Sequence, residues 1–287
     1  MTLEFAVKNT LRSMLLCLEH HFGSDILTYY GQITDGFESR IKAITEELAA
    51  DPGKREKLLI LLTTPGGSAT AVERYVNIIR HHYREVNFLI PDYAYSAGTI
   101  FCMSGDHIYM DYSSVLGPID PQVQNKEGRW VAALAYLDKV AELMQRAQEP
   151  DFTQAEFLIL KDIDLAELRG YEQAKSLAED LVKDWLVKYN FRNEVTEDTK
   201  ELPLSSPAEQ EQRALEIARS LSNNNRWKLH GRPIHMHTLQ EEIKLRVRDF
   251  SHDPAACELI KNYHRLVSGY ADSQQFTIFV LTRKILE

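Results

Sequence analysis

Cysteine is scarce: Cys17, Cys102 and Cys257 are the only three in 287 residues, and none forms a CxxC pair. That excludes a disulfide framework or a thiolate metal site built on them, and it fits reduced thiols in a cytosolic protein. Basic charge is also in deficit, with 33 Lys and Arg against 42 Asp and Glu, a formal net charge of −9. Extended contact with a nucleic-acid backbone needs a basic face, so nucleic acid is not an expected partner. Long apolar runs are missing too. No stretch approaches the roughly 18 residues of a membrane span. Residues 11–18 soon meet Glu19, His20 and His21 and lack the form of a secretory signal. The expected location is the cytoplasm. There is no GxxxxGK[ST] loop, so nothing implies bound ATP, and no cofactor is expected.

What remains is the composition of a globular chain, 44% hydrophobic and 26% charged, with enough apolar material for a sizeable core. From residue 25 to 123 strand and helix patterns alternate. Ile26–Ile33 reads as a strand, Phe37–Ala50 as a helix with apolar residues at Phe37, Ile41, Ile44 and Leu48, and Leu58–Leu62 as a strand covered on both faces. A helix follows Gly67, with Thr70 and Glu73 at capping-box spacing. Val86–Ile90 is a second buried strand, Ser96–Met103 a short helix, and His107–Met110 a further strand. This rhythm predicts right-handed crossovers and a mostly parallel sheet. Beyond Val123 the pattern is helical, over Ala132–Gln148, Asp164–Tyr189, Ala208–Leu221, Leu239–Leu245 and Ala255–Val267, with a linker over 202–207 and a last strand at Phe276–Leu281.

Two strand-to-helix turns carry the chemistry. In Thr63-Thr64-Pro65-Gly66-Gly67-Ser68, consecutive glycines let the backbone bend sharply and present bare N–H groups, which suit an anion or a developing oxyanion. Alone, this reads as a plain strand–helix turn. In Tyr93-Ala94-Tyr95-Ser96-Ala97-Gly98-Thr99, a hydroxyl opens a helix of small residues at the carboxyl end of a buried strand, where ligands bind in open α/β sheets. Alone, Ser96 reads as a helix N-cap. Tyr93 and Tyr95 fit an apolar substrate pocket or core packing. His230, His235 and His237 invite a metal reading, but no carboxylate or cysteine stands at a convincing spacing, and a loop cluster without metal is the expectation.

Thr64-Pro65-Gly66-Gly67, Ser96-Ala97-Gly98 and Ser113-Ser114-Val115-Leu116-Gly117-Pro118-Ile119-Asp120, in that order, resemble the ClpP/crotonase-fold serine peptidases. Within them the chain is similar to the signal-peptide-peptidase-A-like group and to the serine dehydrogenase proteinase family, to which His230-Gly231-Arg232-Pro233-Ile234 adds a further likeness. The resemblance implies an α/β fold of the ClpP/crotonase type with a helical C-terminal portion. Its parts would be an N-terminal helical segment (1–24), a peptidase core (25–200) and a C-terminal helical extension (201–287). It implies Ser96 as nucleophile, Gly67 and Ala97 N–H groups as oxyanion hole, and a substrate groove bordered by Gly66, Tyr95, Gly117, Pro118, Ile119 and Asp120. No histidine stands where ClpP has its base. The lysine of the signal-peptide-peptidase-A type maps to Lys161, which ends the apolar run Phe157-Leu158-Ile159-Leu160 and is expected to be desolvated by it. Pairing with Asp162 or Asp164 at the surface is the other reading of Lys161. His230 can enter the site as an orienting group. Lys139 and Lys175 sit in helix patterns and are weaker candidates. A polypeptide substrate, no metal and a homo-oligomer follow from the resemblance. A crotonase-like acyl-CoA enzyme and an inactive peptide-binding scaffold are the competing functions.

Overall fold

The computed structural model describes residues 3–125, 127–193 and 206–284. Helix α1 (Leu3–Phe22) leads into β1 (Asp25–Gly31), α2 (Glu38–Ala49), β2 (Lys57–Thr63), α3 (Ala69–His82) and β3 (Glu85–Leu89). Then come β4 (Tyr93–Ala94), α4 (Ala97–Cys102), β5 (His107–Met110), β6 (Val115–Leu116) and the hairpin of β7 (Gln122–Gln124) and β8 (Trp130–Ala132). Helices α5 (Ala133–Arg146), α6 (Gln154–Lys161), α7 (Leu165–Trp185), α8 (Pro207–Leu221) and α9 (Asn224–Trp227) follow. The chain closes with β9 (Ile234–His235), α10 (Met236–Thr238), β10 (Arg248–Asp249), α11 (Pro254–Ser273) and β11 (Ile278–Leu281).

The main sheet has the order β10-β5-β3-β2-β1-β11. All its neighbours pair in parallel except β1 and β11. Strands β1, β2, β3 and β5 are laid down in one direction, so right-handed crossovers put α2, α3 and α4 on the same face. The aliphatic run of β2 shows why both faces are apolar. Leu58, Ile60 and Leu62 join the core under α2, α3, α4, α7 and α8, while Leu59 and Leu61 point to the other face, under α1 and α11. The fold is thus α/β with a mostly parallel sheet and a helical C-terminal part. No helix among the described residues is long and apolar enough to cross a membrane.

Several local expectations shift. Ser68, not Thr70, caps α3: its hydroxyl accepts the Ala71 N–H at 3.1 Å, while the Thr70 hydroxyl donates to Asp35. The long helix keeps regular α geometry only to Trp185 and then widens into a π turn over Leu186–Asn190. Of the expected linker, 202–205 and the boundary at 200 lie outside the described residues. Ser206 and Pro207 instead open α8, with Ser206 and Glu209 forming a capping box. Helix α6 is an element beyond those the sequence pattern predicts. Thr153 and Glu156 cap it reciprocally.

Candidate active site

Strands β2 and β3 end side by side, and each hands the chain to one of the two turns. The turns are tied to one another by main-chain bonds. Thr64 N–H donates to Tyr93 O at 3.1 Å and Thr64 O accepts Tyr95 N–H at 3.0 Å, a parallel bridge to Ala94. The buried Thr64 hydroxyl accepts Gly66 N–H at 3.0 Å, and Gly66 O accepts Ile33 N–H at 2.9 Å, so the diglycine bend is fixed from both sides. Its conformation needs glycine. At Gly66, φ is +102°, and a Cβ there would lie 2.6 Å from Tyr95 O and 2.9 Å from Ser96 Cβ. Gly66→Ala is expected to destabilise the chain by ~1–3 kcal/mol and to displace Ser96. A fall in melting temperature together with slower labelling of Ser96 would check it.

Ser96 is not an ordinary N-cap. Its backbone sits at φ +53°, ψ −114°, and its side chain makes no capping bond. A non-glycine residue at positive φ costs on the order of 1–3 kcal/mol and persists only where its surroundings hold it. Here the holders are the Thr64 bridge before it and the Gly98 N–H bond to Tyr95 O at 2.8 Å after it. The result is a strand–serine–helix elbow that leaves the hydroxyl, in a residue only 7% exposed, free of the helix it precedes. In the two turns, neither Gly67 N–H nor Ala97 N–H donates to an acceptor among the described residues.

A second, three-stranded sheet brings more residues to this end, and the sequence reading missed it. In β4-β6-β9, Ala94 pairs with Leu116 in parallel and Leu116 with Ile234 antiparallel. Because β9 runs the other way, the segment before Ile234 leaves the sheet at the end where Ser96 and Gly117-Pro118 leave it. His230 thereby comes to Asp120. Its Nδ1 is buried without a hydrogen bond and lies 4.0 Å from Asp120 Oδ2. Asp120 is itself buried, and its Oδ1 accepts the Leu134 N–H at 3.1 Å, which fixes the carboxylate at the start of α5. Burial lowers the pKa of His230, against the pull of Asp120, and burial raises that of Asp120. The imidazole is therefore neutral near pH 7 and able to take a proton. The sequence signals for this pair were the Gly117–Asp120 turn and the His230–Ile234 motif.

Lys161 is on the surface. The apolar run before it does not desolvate it: α6 buries none of its residues, with Phe157, Leu158 and Ile159 exposed at 54%, 57% and 57%. Eight residues suffice for two turns of helix but not for a face that another element covers. Lys161 is exposed and lines an open cavity of about 780 Å³ between α5, α6 and α7, together with Lys139, Tyr136, Leu143 and Tyr171. Ser96 does not line that cavity. Lys139 is paired with Glu142 at 2.7 Å in solvent. Tyr93 and Tyr95 stack with ring centroids 5.4 Å apart, both half-buried. Among the described residues no group of three or more His, Cys, Asp or Glu side chains is arranged to hold a metal ion.

A parallel α/β sheet with a serine elbow against a diglycine bend defines the ClpP-like class. Residues 33–202 match the family of ClpP-like SDH-type serine proteinases. That is more than half of the chain, and the chain belongs to this family. Two uncharacterized proteins of Methanocaldococcus jannaschii are similar to it. MJ1495 is 32% identical over 125 residues, 44% of this chain, and MJ0137 is 36% identical over 70 residues, 24% of this chain. The matches span 38% and 24% of the length of these relatives. Two solved structures of the 1510-N membrane-bound stomatin-specific protease are similar over 50% of this chain. One is a serine-to-alanine mutant, the other a lysine-to-alanine mutant in complex with a substrate peptide. Each is 24% identical with a TM-score of 0.32, covering 73% and 69% of the respective chains.

Proposed function

We propose that this chain hydrolyses peptide bonds through an acyl-enzyme on Ser96. What supports the reading is an uncapped Ser96 hydroxyl, held at positive φ and packed against the diglycine bend, where a Cβ on Gly66 would lie 2.9 Å from Ser96 Cβ. Ser96 Oγ attacks the scissile carbonyl carbon and passes its proton to the base. The carbonyl oxygen becomes an oxyanion, which Gly67 and Ala97 N–H groups receive. The C–N bond then breaks, the base returns the proton to the leaving amine, and water releases the acyl group by the same route. We take His230 as the candidate base, oriented by Asp120, whose Oδ2 lies 4.0 Å from a His230 Nδ1 that is buried without a hydrogen bond.

The test is a fluorophosphonate probe with mass-spectrometric mapping of the labelled residue. Labelling at Ser96 supports the acyl-enzyme. An unlabelled Ser96 with tight coenzyme A binding supports the acyl-CoA reading instead, and peptide binding with neither supports a scaffold.

Lys161 keeps one specific route to the chemistry. The exposed Phe157, Leu158 and Ile159 beside it are what a second copy of the chain would cover, and a covered α6 would desolvate the lysine. A homo-oligomer is the expected state. Phe157→Glu combined with Ile159→Glu is expected to shift it towards monomer in sedimentation velocity. An unchanged sedimentation coefficient removes this route.

A further inference from the structure

Thr99 lies inside α4, fully buried, and its hydroxyl touches three main-chain groups from two different walls of the site. Thr99 Oγ1 is 2.9 Å from Ala94 O, in the strand that feeds the Ser96 elbow, and 2.9 Å from Gly117 O, in the turn expected to border substrate. It also accepts the Gly117 N–H at 3.0 Å. We propose that the Thr99 hydroxyl is a positioning group that locks the Gly117–Asp120 turn onto the Ser96 elbow. The consequence for catalysis rests on the acyl-enzyme reading above.

A hydroxyl has one proton, so it donates to Ala94 O or to Gly117 O but not to both at full strength. The bond from Gly117 N–H holds in either case, and the proton can bridge the two walls. A buried hydroxyl without partners is unfavourable, and valine has the same shape with no polar atom, so the oxygen at this position is explained by its bonds rather than by packing. The ladder between β4 and β6 ends at the pair Ala94 and Leu116, one residue short of Gly117. Past that point the elbow and the turn are in van der Waals contact. A Cβ on Gly117 would fall 2.5 Å from Tyr95 Cδ1 and 3.1 Å from Tyr95 Cα. Thr99 is what ties the two there by hydrogen bonds.

The lock also decides how the turn can meet a substrate. Gly117 N–H is given to Thr99, Pro118 has no N–H, and Ile119 N–H donates to Leu221 O at 3.2 Å. Residues 117–119 therefore have no main-chain donor to offer a substrate strand. The turn serves as a wall, and its distance from Ser96 matters more than its pairing capacity.

Hydrogen–deuterium exchange followed by mass spectrometry tests the lock without relying on activity. In Thr99→Val, peptides covering 113–121 are expected to exchange on the order of fivefold faster, with peptides from β2 unchanged. Thr99→Ser, which keeps the oxygen, is expected to restore protection. If Thr99→Val does not fold, Thr99→Ala against Thr99→Ser makes the same comparison. Unchanged exchange without the hydroxyl, or an increase that serine fails to reverse, overturns the proposal. With dye-quenched casein as substrate, Thr99→Val is expected to raise KM by about tenfold, with Thr99→Ser near wild type. A wild-type chain that neither labels at Ser96 nor cleaves casein removes the acyl-enzyme reading, and the exchange data still decide the lock.

Discussion

Replacing Ser96 with alanine is expected to lower peptide hydrolysis by ~10⁴-fold or more and to abolish fluorophosphonate labelling while the melting temperature stays the same or rises. The three outcomes belong together. Loss of the hydroxyl removes the atom that forms the acyl bond. The side chain makes no capping bond in α4, so the helix loses no partner. The elbow is held by the Thr64 bridge and by the Gly98 bond, neither of which involves the serine side chain. An N-cap serine would behave in the opposite way, since alanine at a cap costs ~1 kcal/mol of stability and leaves chemistry alone. A Ser96→Ala chain that melts lower and still cleaves peptide would remove Ser96 as nucleophile.

Removing the proposed base should have the next largest effect. His230→Ala is expected to reduce hydrolysis by roughly 10³–10⁴-fold, and Asp120→Asn by a factor within the same range. Asp120→Asn is the sharper variant, because an asparagine Oδ1 can still accept the Leu134 N–H while the charge facing His230 is gone. The pH profile separates this base from a lysine. Burial lowers the His230 pKa from the ordinary histidine value of 6.5, so the neutral, active form persists below that pH and the acid limb falls beneath it. Asp120 raises the His230 pKa, so in Asp120→Asn the acid limb should move to still lower pH. A lysine base gives a rate that climbs through alkaline pH instead. Lys161→Ala with wild-type hydrolysis, alongside an inactive His230→Ala, would assign the role to His230. The reverse result would return it to Lys161 and to an assembly that covers α6.

The same pairing bears on stability. His230 has a lowered folded-state pKa, so the unfolded chain binds the extra proton more readily as pH falls through the ordinary histidine value. That contribution is present above pH 6.5 and is lost below it. Asp120, raised by burial, binds its proton more readily in the folded state and so works in the opposite direction at lower pH. The two therefore partly cancel in melting curves, and activity is the cleaner readout.

Periodicity carried most of the fold. The run Leu58–Leu62 and the helix stripe at Ile41, Ile44 and Leu48 each bury as the pattern requires, because a strand alternates faces and a helix returns every three to four residues. The short strands β4, β6 and β9 are two residues each and have no period to detect, so the small sheet that gathers the site was invisible. The run before Lys161 shows the converse. Four apolar residues suggest a buried segment, yet a run that short on a separate helix has nothing obliging another element to cover it.

By itself the sequence determined the two turns: buried strands that must end at Gly66-Gly67 and before Ser96, with residue types that permit a close approach. Only the tertiary structure decided that Ser96 adopts a positive φ instead of capping its helix, that Thr99 and Asp120 hold the opposing turn, and that His230 reaches Asp120 across more than a hundred residues. These depend on packing between distant segments, where main-chain bonds from several strands together outweigh the local preference of any one residue.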